Sequence, residues 1–299
     1  MKNAPFEYHA PSTVDEVVAL LAEHGDEAKV LAGGQSLVPL LAMRLARPSQ
    51  LVDINEVGEL AGIRPIDGTG VAFGTLTRER DAERSALVAD RLPVLAEALP
   101  LIGHVSIRNR GTVGGSIAHA DASAELPAVA VACGAEMLMR SVRGERVVAA
   151  DDFFVSHFTT ALEDDELLTE VRMPSGPPGA GWAFHEIARR HGDFALVGLA
   201  CLLALEPDGR HIATARLAFT GVGGTPLRAR AAEEALVGAV VEPALFARAG
   251  ELAQEAAEPD SDLHASADYR RHLVGVVAGR GLARAHERAL AQGTARAVS

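Results

Sequence analysis

Along residues 14–25 the apolar positions fall at Val14, Val17, Val18, Leu20 and Leu21, the spacing of a helix that buries one face. Ser12 or Thr13 precedes this stretch as a cap, and Gly25 stands where the helix should end. Residues 28–32 read as a short strand that runs straight into two glycines, in the segment VLAGGQSL at 30–37. Residues 36–44 have helical character, with Pro39 restricting where that helix begins, and residues 51–54 form a second short strand. The first unit therefore predicts helix, strand, turn, helix, strand.

A second unit starts near Gly58. Residues 70–74 predict a strand, 80–99 are mainly helical, and an apolar stretch at 126–133 follows a second pair of glycines. Residues 136–142 alternate as a strand, 143–145 turn, and 146–148 return, which is a hairpin pattern. Residues 166–173 predict another strand, stopped by Pro174. The run PSGPPG at 174–179 is the sharpest break in composition and sets a domain boundary. Beyond it, a long apolar strand at 194–205, the turn PDGR at 207–210 and a returning strand at 212–220 predict a second hairpin. Residues 227–238, 243–256 and 267–292 have helical spacing. The predicted class is α+β, with units at 1–57, 58–176 and 177–299, the last an antiparallel sheet packed by a helical cluster.

Composition narrows the chemistry. The formal net charge of −12 repels phosphate backbones, so nucleic acid is not an expected partner. Any phosphate must be gripped locally, by backbone N–H groups. The two cysteines, Cys133 and Cys201, sit in apolar runs and read as buried reduced thiols. Two thiols are too few for an iron–sulfur cluster, which usually takes about four. The N-terminal segment has no apolar signal region, and no apolar run reaches the roughly 18 residues of a membrane span. The expectation is a cytoplasmic protein, membrane-associated only through a complex.

The glycine pairs carry the functional question. Gly33-Gly34 and Gly114-Gly115 each follow an apolar or turn segment, and each is followed by a hydroxyl residue, Ser36 or Ser116. A glycine pair alone is usually a turn needing positive φ. Two such turns, with Thr112 beside the second, read as facing nests of N–H donors suited to a pyrophosphate. On that reading a side chain added at Gly114 would stand against the diphosphate. The P-loop pattern and the Rossmann fingerprint are both absent from the sequence, which leaves a dinucleotide held between two units.

Four motifs in order then carry a resemblance that covers nearly the whole chain: AGGQSL at 32–37, RNRGTVGGSIAHADASAELPA at 108–128, ARRHGDFALVG at 188–198 and FTGVGGTPLRA at 219–229. In these the sequence resembles the FAD-binding medium subunits of molybdenum hydroxylases, the xanthine dehydrogenase and aerobic carbon monoxide dehydrogenase type. The resemblance implies a two-subdomain FAD-binding fold, of the PCMH or vanillyl-alcohol-oxidase-like kind, followed by a C-terminal domain of antiparallel sheet and helices. It implies FAD bound by Ala32, Gly33, Gly34, Gln35, Ser36 and Leu37, and by Gly111, Thr112, Val113, Gly114, Gly115 and Ser116. It further implies Glu125, Leu167 and Phe194 at the flavin, with Asp193 ordering its loop. Where many relatives carry a lysine before the double arginine, this chain has Phe184-His185-Glu186-Ile187, and Arg189 or Arg190 is the nearest source of positive charge.

The implied role is electron transfer, with no catalytic acid or base and no metal on this chain. Substrate would be oxidised at a molybdenum–pterin centre in a large partner subunit. Two [2Fe–2S] clusters in a small partner would deliver electrons to the FAD, which passes them to an external acceptor. The implied assembly is a dimer of heterotrimers. Two other readings are a stand-alone FAD oxidase of the same wider fold and a flavin-free interaction subunit. His119 and Asp121 lack a third ligand at metal-site spacing and read as ordering the second loop. Trp182 reads as a packing anchor, and Arg108 and Arg110 as ion-pair formers or partner contacts.

Overall fold

A computed structural model describes residues 2–66, 68 and 70–297 of the chain. The elements follow in chain order. β1 (Glu7–His9), α1 (Val14–His24), β2 (Ala28–Leu31), α2 (Leu37–Ala42) and β3 (Gln50–Asp53) make the first unit. Its three strands are parallel, in the order β1-β3-β2. Thr13 caps α1 in a reciprocal box with Glu16, and Gly25 ends it at φ +54°. Strand β1 has no apolar alternation and is held mainly by register, Glu7 opposite Gln50, so the sequence pattern does not reveal it.

The second unit contains β4 (Ile63–Pro65), β5 (Val71–Gly74), α3 (Glu79–Arg84), α4 (Ala86–Arg91), α5 (Pro93–Ala98), α6 (Val105–Arg108), α7 (Val113–His119), α8 (Glu125–Cys133), β6 (Glu136–Ser141), β7 (Gly144–Ala149), α9 (Ala150–Phe153), the small pair β8 (Phe154–Ser156) and β9 (Thr159–Thr160), and β10 (Leu167–Met173). Its five-stranded antiparallel sheet has the order β4-β5-β10-β6-β7. The single helix predicted at 80–99 is three short ones. Ser85 leaves helical φ/ψ to cap α4, and Pro93 starts α5 afresh.

The third unit is an antiparallel sheet, β11 (Gly181–Ala188), β12 (Ala195–Leu205), β13 (Ile212–Thr220) and β14 (Leu227–Arg228), with α10 (Arg230–Leu236), α11 (Pro243–Ala256) and α12 (Ala267–Ala297). Strand β12 is buried along all but its last residue. One face of the sheet meets α8 and α5, and the other meets α12. Two covered faces explain why ALVGLACLLAL is a continuous apolar run rather than an alternating one. Strand β11 was not legible as a strand. Its anchor, Trp182, is half-buried under the Arg288 guanidinium, 4.7 Å from the ring centroid, and its carbonyl accepts from Arg288.

Candidate functional site

The two glycine turns touch. A Cβ built on Gly33 would lie 2.3 Å from the Arg110 carbonyl oxygen and 2.9 Å from the Gly111 Cα, so only a bare backbone fits. Gly34 turns the chain at φ +73°, and Val38 N–H then donates to the Gly34 carbonyl at 3.0 Å. Pro39 follows inside the first turn of α2, where a missing N–H costs nothing. Among the described residues, the backbone N–H groups of Gly33, Gly34, Gln35, Ser36 and Leu37 donate to no protein acceptor. Ala32 closes the contact from the other side, 3.7 Å from a Cβ built on Gly115. This half of the site keeps a run of free backbone donors, which a nest requires.

The other half is different. Thr112 caps α7, its hydroxyl accepting from Gly115 N–H at 3.0 Å, and its carbonyl accepts from Ser116 N–H at 3.0 Å. Val113 N–H donates to the Thr77 carbonyl at 2.9 Å and Gly114 N–H to the Thr75 carbonyl at 3.0 Å. The expectation of two facing nests is therefore corrected: the N–H groups from Val113 to Ser116 are engaged inside the protein. The reason given for Gly114 is corrected too. A Cβ there would lie 1.8 Å from Thr75 Oγ1 and 2.6 Å from Thr75 Cα, so Gly114 is bare to let α7 dock beside β5. What this turn offers a ligand is the half-buried Ser116 side chain and the backbone that meets Gly33.

Three carboxyl groups from separate elements are wholly or partly withdrawn from solvent near the second turn, Glu79 and Glu125 buried and Glu186 half-buried. Glu125 opens α8 and is 4 % exposed. Thr220 fastens that end of α8 to the third sheet, its hydroxyl reaching the carbonyls of Ala122 at 2.7 Å and Ala124 at 2.9 Å. Glu186 on β11 stands opposite Gly198, next to Thr220. Glu79 opens α3, and a Cβ on Gly111 would fall 2.4 Å from its Oε2. The Oε2 atoms of Glu79 and Glu186 are buried without a hydrogen-bond partner. Burial, then the neighbouring Glu186, pushes the Glu125 carboxyl up to about 8. Burial pushes Glu79 up to about 7 against the pull of Arg108, and burial alone takes Glu186 to about 7. At neutral pH Glu125 is mostly protonated and Glu79 and Glu186 are each close to half protonated, and a neutral carboxyl donates as well as accepts.

The remaining predicted residues are dispersed. Leu167 is buried in the small core beneath α1, with Leu60 and Leu76 as neighbours in that cluster. Phe194 lies on the loop between β11 and β12, 59 % exposed. Arg190 on that loop pairs with Asp193 at 3.3 Å, and Arg189 contacts His264 at 2.6 Å. The segment Phe184-His185-Glu186-Ile187 thus contributes a carboxyl, Glu186, rather than a positive charge. His119 stacks on Phe158, and Asp121 accepts from Ser123 N–H, as befits residues that order a loop. Arg108 is buried against Glu83 and the Ile102 carbonyl. Sequence reasoning missed Glu79, Asn55 and Arg78 at this site. No periodicity marks them, since each acts through long-range contact.

Residues 4–176 match the family described as the FAD binding domain in molybdopterin dehydrogenase. Residues 182–285 match the CO dehydrogenase flavoprotein C-terminal domain. The chain is 43 % identical to the 6-hydroxypseudooxynicotine dehydrogenase complex subunit alpha of Paenarthrobacter nicotinovorans, over 97 % of each chain. It is 40 % identical to the carbon monoxide dehydrogenase medium chain of Hydrogenophaga pseudoflava, over 93 % of this chain and 96 % of that one. A solved structure of carbon monoxide dehydrogenase from H. pseudoflava, lacking the Mo-pyranopterin moiety of the molybdenum cofactor, contains a chain that superposes with a TM-score of 0.93. That chain is 42 % identical, and the match covers 96 % of this chain and 99 % of that one.

Proposed function

Because the chain belongs to the family of FAD-binding medium subunits of molybdenum hydroxylases, we propose that it holds FAD between its two glycine turns and relays electrons within a larger dehydrogenase. The observation that carries the reading is the set of unpartnered N–H groups from Gly33 to Leu37, set against a second turn that only bare backbone can approach. A diphosphate supplies the acceptors those donors lack. Ala32, Gly33, Gly34, Gln35, Ser36 and Leu37 form the gripping loop, with Gly111, Thr112, Val113, Gly114, Gly115 and Ser116 as the wall behind it. The desolvated carboxyl of Glu125, mostly neutral at pH 7, and those of Glu79 and Glu186, partly neutral there, can donate hydrogen bonds to the polar atoms of a flavin. On this reading the exposed Phe194 covers the bound ring, and the buried Leu167 supports the site through packing.

FAD, when bound, supplies a carrier that exchanges electrons in pairs or singly. The chain's own task is to bind it, orient it and limit water around it. Its two cysteines are free and buried, with the thiols pushed by burial up to about 12, so neither is a ready metal ligand. The reading therefore assigns the [2Fe–2S] clusters to a small partner and the molybdenum–pterin centre to a large one, in a dimer of heterotrimers that passes electrons to an external acceptor. Relatives of similar identity are named for 6-hydroxypseudooxynicotine and for carbon monoxide, so the substrate class belongs to the large subunit. Among the described residues no helix is long and apolar enough to cross a membrane.

The test is a visible spectrum of the purified chain with any partners it retains, followed by acid release of the flavin. About one FAD per chain is expected, with iron–sulfur absorbance only when partners are present. A folded chain that stays colourless after incubation with FAD would refute the reading. A second measurement addresses Phe194. Its exposure predicts that Phe194→Ala changes stability by no more than about 0.5 kcal/mol, while shifting the bound-flavin spectrum. An unaltered spectrum and potential would remove Phe194 from the ring.

A further inference from the structure

The Arg110 carbonyl oxygen is the atom on which Gly33 rests. It is also an acceptor for Arg78, whose Nη1 donates to it at 2.6 Å. The other arm of the same guanidinium, Nη2, donates to Asn55 Oδ1 at 2.7 Å. Asn55 Nδ2 in turn donates to the Ala32 carbonyl at 2.8 Å, at the entrance of the first turn, and to Asp53 Oδ1 at 2.6 Å. Tyr8 OH closes the far end by donating to Asp53 Oδ2 at 2.8 Å. One side chain thus reaches the second turn directly and the first turn through one amide. The backbone of Arg78 is itself bridged to Thr112, so the fork is anchored at its base.

The charge is placed unusually. Both guanidinium contacts are to neutral oxygens, and among the described residues Arg78 has no carboxylate within ion-pair distance. Burial, and then the nearby Arg110 charge, lower its pKa from the ordinary arginine value. The charges of Arg110, Asp81 and Asp53 all act on this guanidinium, and it is its two hydrogen bonds, rather than a field of one sign, that tie it to both turns.

We propose that Arg78 and Asn55 are positioning residues that brace the two turns at a fixed separation and thereby pre-form the diphosphate grip. This rests on the reading that the turns hold FAD. A planar fork is suited to the task because two donors leave it at a fixed angle, which a lysine ammonium on a flexible stem cannot reproduce. Pre-organisation of this kind acts on affinity by removing an ordering cost from the binding step.

The experiment uses the full chain stripped of flavin, titrated with FAD by fluorescence, alongside thermal unfolding of each flavin-free form. Arg78→Lys keeps the charge and loses the fork. Asn55→Asp keeps an acceptor for Arg78 and loses the donor to Ala32. Each is expected to weaken FAD binding at least about tenfold, with melting of the flavin-free form changed by less than about 3 °C. The double variant should be no weaker than about threefold below the worse single one, because both cut the same brace. Binding within twofold of the parent chain for either variant overturns the proposal. So does full additivity, or a loss of affinity that follows loss of melting temperature. If Arg78→Lys does not fold, Asn55→Asp decides alone. If the parent chain binds no FAD, the functional reading itself has failed, and that outcome is visible before any variant is compared.

Discussion

Replacing Gly114 by alanine is expected to destabilise the flavin-free chain by about 3 kcal/mol, the upper end of what overpacking usually costs. The new Cβ would lie 1.8 Å from Thr75 Oγ1 and 2.6 Å from Thr75 Cα. The hydroxyl can rotate away, but the Cα cannot. Relief must come from moving α7 off β5, and that would break the hydrogen bond from Gly114 N–H to the Thr75 carbonyl. It would also strain the Val113–Thr77 contact and loosen the cap at Thr112. Thermal unfolding without flavin should show a fall of roughly 5 °C. A variant that melts like the parent and yet fails to bind FAD would restore the opposite reading, in which a side chain at this position stands against the diphosphate.

The second large effect is on pH. Glu125, Glu79 and Glu186 have folded-state pKa values raised to about 8, 7 and 7. In the unfolded chain they titrate near the ordinary glutamate value. Between those limits the folded state binds more protons than the unfolded state, so stability falls as pH rises. The favourable contribution is complete below the unfolded pKa and is lost as pH climbs through the folded values. For Glu125 alone the span corresponds to an effect on the order of 3 kcal/mol, after allowing for relaxation and for coupling to Glu186. The flavin-free chain is therefore expected to melt at a lower temperature at pH 8.5 than at pH 5.5. Glu125→Gln, which carries no proton to lose, should remove about half of that difference, with Glu79 and Glu186 supplying the rest, and melt above the parent at pH 8.5. An unchanged slope in Glu125→Gln would mean that the carboxyl titrates as an ordinary glutamate and is not desolvated.

These effects lie at different distances from the sequence. Helix α1 was legible in full, because its cap, its apolar stripe and its terminating glycine are all local. The β12–β13 hairpin was legible for the same reason, through its turn residues and its apolar length. Strand β1 was not, since three mostly exposed residues carry no pattern. Strand β11 was hidden behind a proline- and glycine-rich run, and the break of 80–99 into three helices turned on Ser85 and Pro93, whose weight the apolar spacing concealed.

The candidate site divides in the same way. Its glycines were visible in the sequence, because a backbone that must be approached closely tolerates no other residue, and the motif order pointed to one family. Which way each missing Cβ faces was not visible. Gly33 faces the second turn, Gly114 faces Thr75 and Gly111 faces Glu79, all partners separated from the glycine by more than thirty residues or lying on another element. The same holds for the desolvated carboxyls. Glu79, Glu125 and Glu186 belong to three elements and have ordinary-looking neighbours in sequence. Only packing brings them together out of water, and a pKa follows from desolvation and proximity, which are properties of the assembled fold. The sequence by itself determined the local turns, caps and apolar faces, because those depend on residues within a few positions of one another. Tertiary structure alone decided which turn keeps free donors, which carboxyls are buried and how Arg78 joins the two turns, because each depends on contacts the chain makes only after it has folded.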